Sequence, residues 1–274
     1  MFYGRGDFMT IDFFFESKNG RIGYKHEVMP LPPNDYFSMH THSQYELIYF
    51  VRGDATHVIE DRKYKLKPGD LILIQPLKYH FIQIDSPAPC ERYIIGLDDS
   101  VLGFSFSALF DEPSDVIDLS KETETEHLFQ KMNYYRKNLS DEDMEHLFPA
   151  LLTELIYHLL IASRQKSVRS ATVLNPVLSE AIAYINEHLL TVKNVSEIAD
   201  HLFVSEGYLF QLFRKEIHQT PKKYITDKRM LLAQTMIRSG ERPSEVCAKC
   251  GFSDYSVFYR SYKLFFNKAP SEEY

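Results

Sequence analysis

The 274-residue chain is 44% hydrophobic and 25% charged, an ordinary globular composition with length enough for two domains. Three cysteines are too few for a disulfide framework, and the opening Met1-Phe2-Tyr3-Gly4-Arg5 lacks the apolar core of a signal peptide, so a cytoplasmic protein with no membrane partner is expected. The net charge of −7 is unevenly held: residues 1–175 carry a net −8 and residues 176–274 a net +1, which excludes a uniformly basic nucleic-acid binder but leaves room for a local basic face in the C-terminal part.

From Phe8 to about Leu97 the pattern predicts strands at Phe8–Phe15, Arg21–Val28, Tyr45–Val51, Thr56–Glu60, Leu71–Ile74, Phe81–Ile84 and Arg92–Leu97. These are β-branched or aromatic runs divided by turn signals such as Asn19-Gly20, Pro32-Pro33-Asn34-Asp35, Gly53-Asp54 and Pro68-Gly69-Asp70. Many short strands punctuated in this way predict a small barrel or sandwich.

After residue 100 the period becomes helical. Glu122–Lys137 and Asp141–Ser163 read as amphipathic helices, the second with one stripe of Met144, Leu147, Leu151, Leu155 and Leu159 and an adjoining one of Phe148, Leu152, Ile156 and Leu160. Pro149 is expected to kink this segment or to open a helix of its own. So wide an apolar face suggests a dimer interface, against the plainer reading that the helix covers its own barrel. Residues 166–175, polar and small, read as a linker.

The last hundred residues are duplicated. Ile198-Ala199-Asp200-His201-Leu202-Phe203-Val204-Ser205 leads into Tyr208-Leu209-x-x-Leu212-Phe213, and Val246-Cys247-Ala248-Lys249-Cys250-Gly251-Phe252-Ser253-Asp254 leads into Val257-Phe258-x-x-Ser261-Tyr262. Each copy reads as a short helix, a tight turn and a second helix opened by a capping Ser or Asp. Pro176–Leu190 precedes them as a supporting helix capped by Asn175, and Lys222–Ser239 joins them, entered by Thr220-Pro221 and closed by Gly240. A rigid spacer of that length suits two recognition helices held near one DNA turn apart, which predicts binding to double-stranded DNA.

The combination Ile198-Ala199, Ser205-x-x-Tyr208-Leu209-x-x-Leu212-Phe213-Arg214-Lys215, Pro221-x-x-Tyr224, Arg229-x-x-x-Ala233, Gly251-Phe252-Ser253-Asp254, Phe258, Tyr262-Lys263 and Ala269–Tyr274 resembles the AraC family of transcription regulators over the whole of 176–274. Cys247, Tyr262 and His218 depart from that pattern, which usually has Ala, Phe and often Gly there. The resemblance implies a one-component regulator rather than an enzyme, with a homodimer and contact with RNA polymerase as further expectations.

Helix geometry turns Leu209, Leu212 and Phe213 inward and leaves Glu206, Gly207, Phe210, Gln211 and Arg214 toward the groove. In the second copy Phe258 and Tyr262 point inward, so Tyr255, Ser256, Tyr259 and Arg260 point out. Gln211 suits adenine, Phe210 a thymine methyl and Arg260 a guanine, with Lys215, Lys263 and Lys268 as phosphate contacts. Cys247-x-x-Cys250 falls on the buried side of a helix and reads as core rather than as a redox or metal pair.

In the N-terminal part His40-x-His42-x-x-x-Glu46, Gly53, Gly69 and His80 resemble the two motifs of cupin barrels. That resemblance implies a barrel with His40, His42, Glu46 and His80 as candidate ligands of a divalent metal. Gln75, Leu77 and Ile84 depart from the metalloenzyme pattern, so an organic effector pocket with no required cofactor leads, and a metal-dependent cupin enzyme fused to a DNA-binding domain is the alternative. Effector candidates are Tyr24, His26, His40, His42, Glu46, His57, His80 and Tyr93, with Tyr49 as a further wall, a set compatible with a sugar or related metabolite.

The expected fold is therefore α+β: a cupin-like effector barrel (1–99), a helical dimerisation segment (100–165), a linker (166–175) and an all-α domain (176–274) with two helix-turn-helix motifs joined by a linker helix.

Overall fold

The computed structural model of the protein describes residues 10–30, 39–99, 101–110, 114–164 and 167–273. The chain divides into two compact units, the first built mainly from residues up to Thr172 and the second mainly from Val173–Tyr274. The beginning of the strand predicted at Phe8, the Pro32–Asp35 turn and residues 165–166 lie outside the described residues.

The strands are β1 (Thr10–Glu16), β2 (Ile22–Met29), β3 (Tyr45–Arg52), β4 (Ala55–Ile59), β5 (Arg62–Lys65), β6 (Asp70–Ile74), β7 (His80–Ile84), β8 (Cys90–Leu97), β9 (Val116–Asp118), β10 (Ser167–Val168) and β11 (Thr172–Val173). They form a larger sheet in the order β1-β2-β8-β3-β6-β9-β10 and a smaller one in the order β11-β5-β4-β7. Alternation puts two buried faces on the larger sheet. One face, with Ile48, Phe50, Ile72, Ile74 and Ile94, meets Ala55, Ile59, Ile82 and Ile84 of the smaller sheet to make the barrel interior. The other, with Tyr24, Leu47, Tyr49, Tyr93 and Ile95, packs under two helices, α1 (Thr123–Asn138) and α2 (Asp141–Ser163).

Most of the apolar surface of α2 is buried within its own unit. Met144, Phe148, Leu151, Leu152, Leu155, Ile156 and Leu159 are all buried within the same unit, so most of both stripes covers the barrel. What α2 leaves outward is Tyr157 and Ile161, 52% and 60% exposed. By length and composition α2 could cross a membrane; its packing against the sheet accounts for that apolarity. Pro149 lies inside the helix without ending it, and Ser140 opens the helix with a capping box to Asp143.

β5 and β9 are additions to the predicted strands. β5 is only Arg-Lys-Tyr-Lys, and β9 is three residues long; neither is long enough for a period to show. The segment read as linker contributes β10, paired with β9, and Arg169, whose Nε lies 2.9 Å from Asp70 and whose Nη2 lies 3.1 Å from Asp118. Its first described part is thus fastened to the sheet rather than free.

The second unit is helical: α3 (Pro176–Glu187), α4 (Val195–His201), α5 (Glu206–Glu216), α6 (Pro221–Arg238), α7 (Pro243–Lys249) and α8 (Tyr255–Phe266). Side-chain caps open five of them. Asn175 accepts from Val177 N–H, Asn194 from Glu197, Ser205 from Tyr208, Thr220 from Lys223 and Asp254 from Val257, which satisfies amide donors that the first turn leaves open. The 18 residues of α6 span about 27 Å at ~1.5 Å per residue.

Candidate DNA interface and effector site

In α5, Leu209, Leu212 and Phe213 are buried, while Glu206, Gly207, Phe210, Gln211, Arg214 and Lys215 are exposed. A Cβ built on Gly207 would meet nothing within 4 Å, so the fold does not require glycine there. The Arg214 guanidinium lies 5.6 Å from the centre of the Phe210 ring. In α8, Phe258 and Tyr262 are buried in the core made with α6 and α7, and Tyr255, Ser256, Tyr259, Arg260 and Lys263 are exposed. Arg260 folds back to its own helix, donating to the Ser256 carbonyl at 3.3 Å. Val257 and Leu264, 47% and 88% exposed, share the outer side of α8, a pair of apolar residues that the sequence reading did not assign.

The two turns follow one hydrogen-bond pattern. Phe203 and Val204 N–H donate to the Asp200 and Ala199 carbonyls, and Gly251 and Phe252 N–H donate to those of Ala248 and Cys247. Phe203 and Gly251 are therefore equivalent, and both are left-handed, with φ of 55° and 75°. At Gly251 glycine is also demanded by space: a Cβ would lie 2.8 Å from the Leu190 carbonyl oxygen and 2.9 Å from Arg229 Cζ. That arginine donates to the Leu189 and Val192 carbonyls at 2.7 and 2.6 Å, fixing the loop after α3. Cys247 and Cys250 are buried beside it, and burial pushes both thiols up, Cys250 to about 11. They behave as core.

In the barrel, the predicted residues separate by face. Glu46 of β3, His57 of β4 and His80 of β7 are buried, on the interior-facing alternation of their strands. His80 Nε2 lies 3.1 Å from Glu46 and the His57 and His80 rings stack at 6.0 Å. Tyr24, His26, Tyr49 and Tyr93 stand on the opposite face, under α1. Tyr24 Oη donates to Asn133 at 2.5 Å, His26 stacks on Tyr93 at 4.3 Å, and Tyr93 and Tyr49 stack on Phe129 at 4.7 and 5.4 Å. They form the seam between sheet and helix, not the interior wall expected of them, because β2 and β8 are buried on both sides and an aromatic residue there fits either.

Three interior residues escaped the sequence reading: Lys25 and Glu27 of β2 and Arg92 of β8. All three are buried. Arg92 and Glu27 are cross-strand partners joined at 2.8 and 2.9 Å, and Lys25 Nζ lies 3.8 Å from Glu27. Burial lowers the Lys25 ammonium, against the pull of Glu27. The signal was present as a period-two run of Lys25, Glu27 and Met29 in a strand whose other face is Tyr24, His26 and Val28.

His40, His42, Glu46 and His80 are side chains of the types that ligate a divalent cation. Glu46 holds the Nε2 side of His80, while Nδ1 lies 3.0 Å from the Lys78 carbonyl oxygen, so a cation taken by His80 displaces one of these contacts.

Comparison with known proteins fits both halves. Residues 32–160 match the model of the AraC-like ligand binding domain, and residues 198–273 match a helix-turn-helix domain model. The chain belongs to the AraC family of transcription regulators. It is similar to the HTH-type transcriptional activator RhaR of Cronobacter sakazakii, 26% identical over 82% of both chains, and to RhaR of Escherichia coli, 25% identical over 82% of this chain and 83% of that one. Among solved structures it aligns with ToxT from Vibrio cholerae O395, at 15% identity and a TM-score of 0.38, over 92% of this chain and 96% of that one.

This AraC-family chain is thus a DNA-binding regulator with a ligand-binding domain, not an enzyme. The fused-enzyme alternative raised by the histidine motif is set aside by those matches.

Proposed function

We propose that the chain binds a non-palindromic DNA half-site through α5 and α8 and that a small effector in the barrel interior controls promoter occupancy. The observation that carries the first part is the pair of capped helices whose outward residues, Gln211 and Arg214 on one and Tyr259 and Arg260 on the other, are exposed and of the types that read base edges. Lys215 and Lys263 supply phosphate contacts, with Glu206, Gly207, Phe210, Tyr255 and Ser256 beside them, whereas Lys268 is engaged by Glu273 at 2.7 Å.

The effector is a neutral, polyhydroxylated solute such as a sugar. Lys25 and Arg92 balance Glu27 and Glu46 in the interior, so a ligand of either charge would upset a matched set in low dielectric, whereas hydroxyl groups use donors and acceptors together. His57 and His80 complete the wall. No cofactor is required on this reading. A second reading rests on the donor types of His40, His42, Glu46 and His80 and on the 3.1 Å contact of Glu46 with His80: a divalent cation held by these side chains contributes to the effector site, with Glu46 orienting His80.

The protein works in the cytoplasm as a homodimer, with the outward side of α2 at Tyr157 and Ile161 as the contact, and RNA polymerase is its partner at the promoter. Selection of bound sequences from a random pool, repeated with a panel of neutral sugars and charged metabolites, tests the scheme. Enrichment of a two-part asymmetric site whose occupancy changes with a neutral sugar is the expected result. No enriched site, or a response confined to charged metabolites, would refute the corresponding part. Metal analysis of protein purified without chelator, with His40→Ala and His80→Ala, decides the second reading.

A further inference from the structure

The second unit carries a groove of about 370 Å³ between α3 and the end of α4, lined by Glu180, Tyr184, Glu187, His201, Leu202 and Phe203. Its floor is fixed: Tyr184 lies between His188 and His201, each 4.3 Å away ring to ring, and donates to Glu197 at 3.0 Å. At its rim Phe203 is 96% exposed. A phenylalanine with that exposure contributes almost nothing to its own fold, and it holds a left-handed φ of 55° that disfavours any side chain with a Cβ. The equivalent position of the second motif is Gly251. An aromatic kept at a strained, solvated position, where the duplicate has glycine, is a surface anchor in search of a partner.

The groove has Glu180 and Glu187 on its walls and no Lys or Arg among its lining residues. Two carboxylates repel phosphate, so nucleic acid is the wrong occupant, and the exposed residues suited to DNA lie on α5 and α8. We propose that this groove docks a protein of the transcription machinery through a segment that places one aliphatic or aromatic side chain against Phe203 and Leu202, flanked by Lys or Arg facing Glu180 and Glu187. The inference rests on the regulator reading above and adds the surface and the chemistry of its partner.

The test uses the full chain with Phe203 replaced by the photo-crosslinker p-benzoylphenylalanine, irradiated in cells, with the crosslinked peptide sequenced. A crosslink into another protein at an apolar residue flanked by Lys or Arg, reduced about tenfold or more by Glu180→Lys with Glu187→Lys, is expected. Phe203→Gly, which relieves the left-handed strain, serves as the folded control: its melting temperature should not fall and its DNA affinity should change less than about threefold. A crosslink to DNA, to a second copy of this chain, or to nothing, or one indifferent to the charge reversal, would overturn the proposal, as would a loss of DNA affinity in Phe203→Gly. Failure of the unsubstituted chain to select DNA would instead sink the regulator reading itself.

Discussion

Arg92 and Glu27 are register partners on β8 and β2, and both point into the barrel, where the guanidinium reaches one carboxylate oxygen at 2.8 and 2.9 Å. Each is buried, so neither can be removed singly without leaving the other's charge in a medium that solvates it poorly. Glu27→Ala should cost about 3–5 kcal/mol in urea unfolding, and adding Arg92→Met should recover much of that loss. The double variant then separates stability from recognition. It should fold and still lose its response to the effector that moves the unsubstituted protein; a retained response would place the ligand elsewhere.

Glu273 closes the second unit in a different way. Its carboxylate has no exposed surface and accepts from Gln234, Tyr262, Lys268 and Arg238 at 2.7 to 2.8 Å. Burial would raise this carboxyl, but the four donors outweigh it and hold it at about 2, against an ordinary value of 4.5. A carboxyl whose folded value lies below its unfolded one stabilises fully above the unfolded value and loses that contribution as pH falls toward the folded one. Stability of the helical unit should therefore decline between about pH 4.5 and pH 2, and Glu273→Gln should flatten the decline while costing about 1–3 kcal/mol at pH 7. Chemical unfolding across that range measures both, and an unchanged acid limb would remove Glu273 as its cause.

The equivalence of Phe203 and Gly251 predicts opposite outcomes for opposite substitutions. Gly251→Ala must place a Cβ 2.8 Å from the Leu190 carbonyl oxygen in a left-handed residue, and should destabilise by about 2–4 kcal/mol. Phe203→Gly removes the same backbone penalty where no packing is lost, and should stabilise by about 0.5–1 kcal/mol after the extra chain entropy of glycine is counted. Thermal unfolding of the two variants checks the pair; a stabilised Gly251→Ala would contradict the equivalence.

The helical unit was legible because its information is local. Caps at Asn175, Ser205, Thr220 and Asp254 fall where the sequence puts them, and the 3.6-residue period separates Leu209, Leu212 and Phe213 from Gln211 and Arg214 without reference to the rest of the chain. The barrel was legible as strands but not as faces. Period two assigns Tyr24 and Lys25 to opposite sides; it does not say which side is the interior when helices cover the other. A charged residue such as Lys25 or Arg92 then reads as solvent-facing, and an aromatic such as Tyr93 reads as pocket wall, each the reverse of its place here. β9 and β10 depend on pairing between residues about fifty positions apart, which no local window contains.

The two recognition helices offer different chemistry, and this yields the most specific prediction. On α8 Arg260 is the guanidinium exposed among Tyr255, Tyr259 and Ser256, whereas α5 presents Gln211 and Arg214 beside Glu206. Arg260 donates to the Ser256 carbonyl of its own helix at 3.3 Å, a long contact that a bidentate pair with guanine would readily replace. Arg260→Ala should cost about 1–3 kcal/mol of binding and relax base preference at one position of one sub-site. Lys263→Ala, removing a phosphate contact, should weaken all sequences alike and lower the salt slope by about one. Selection of bound sequences with each variant, at two salt concentrations, distinguishes the patterns. A uniform loss across both sub-sites for Arg260→Ala would mean that this arginine contacts backbone, and that the specificity of α8 resides in its tyrosines and in the exposed Val257, a side chain suited to a thymine methyl.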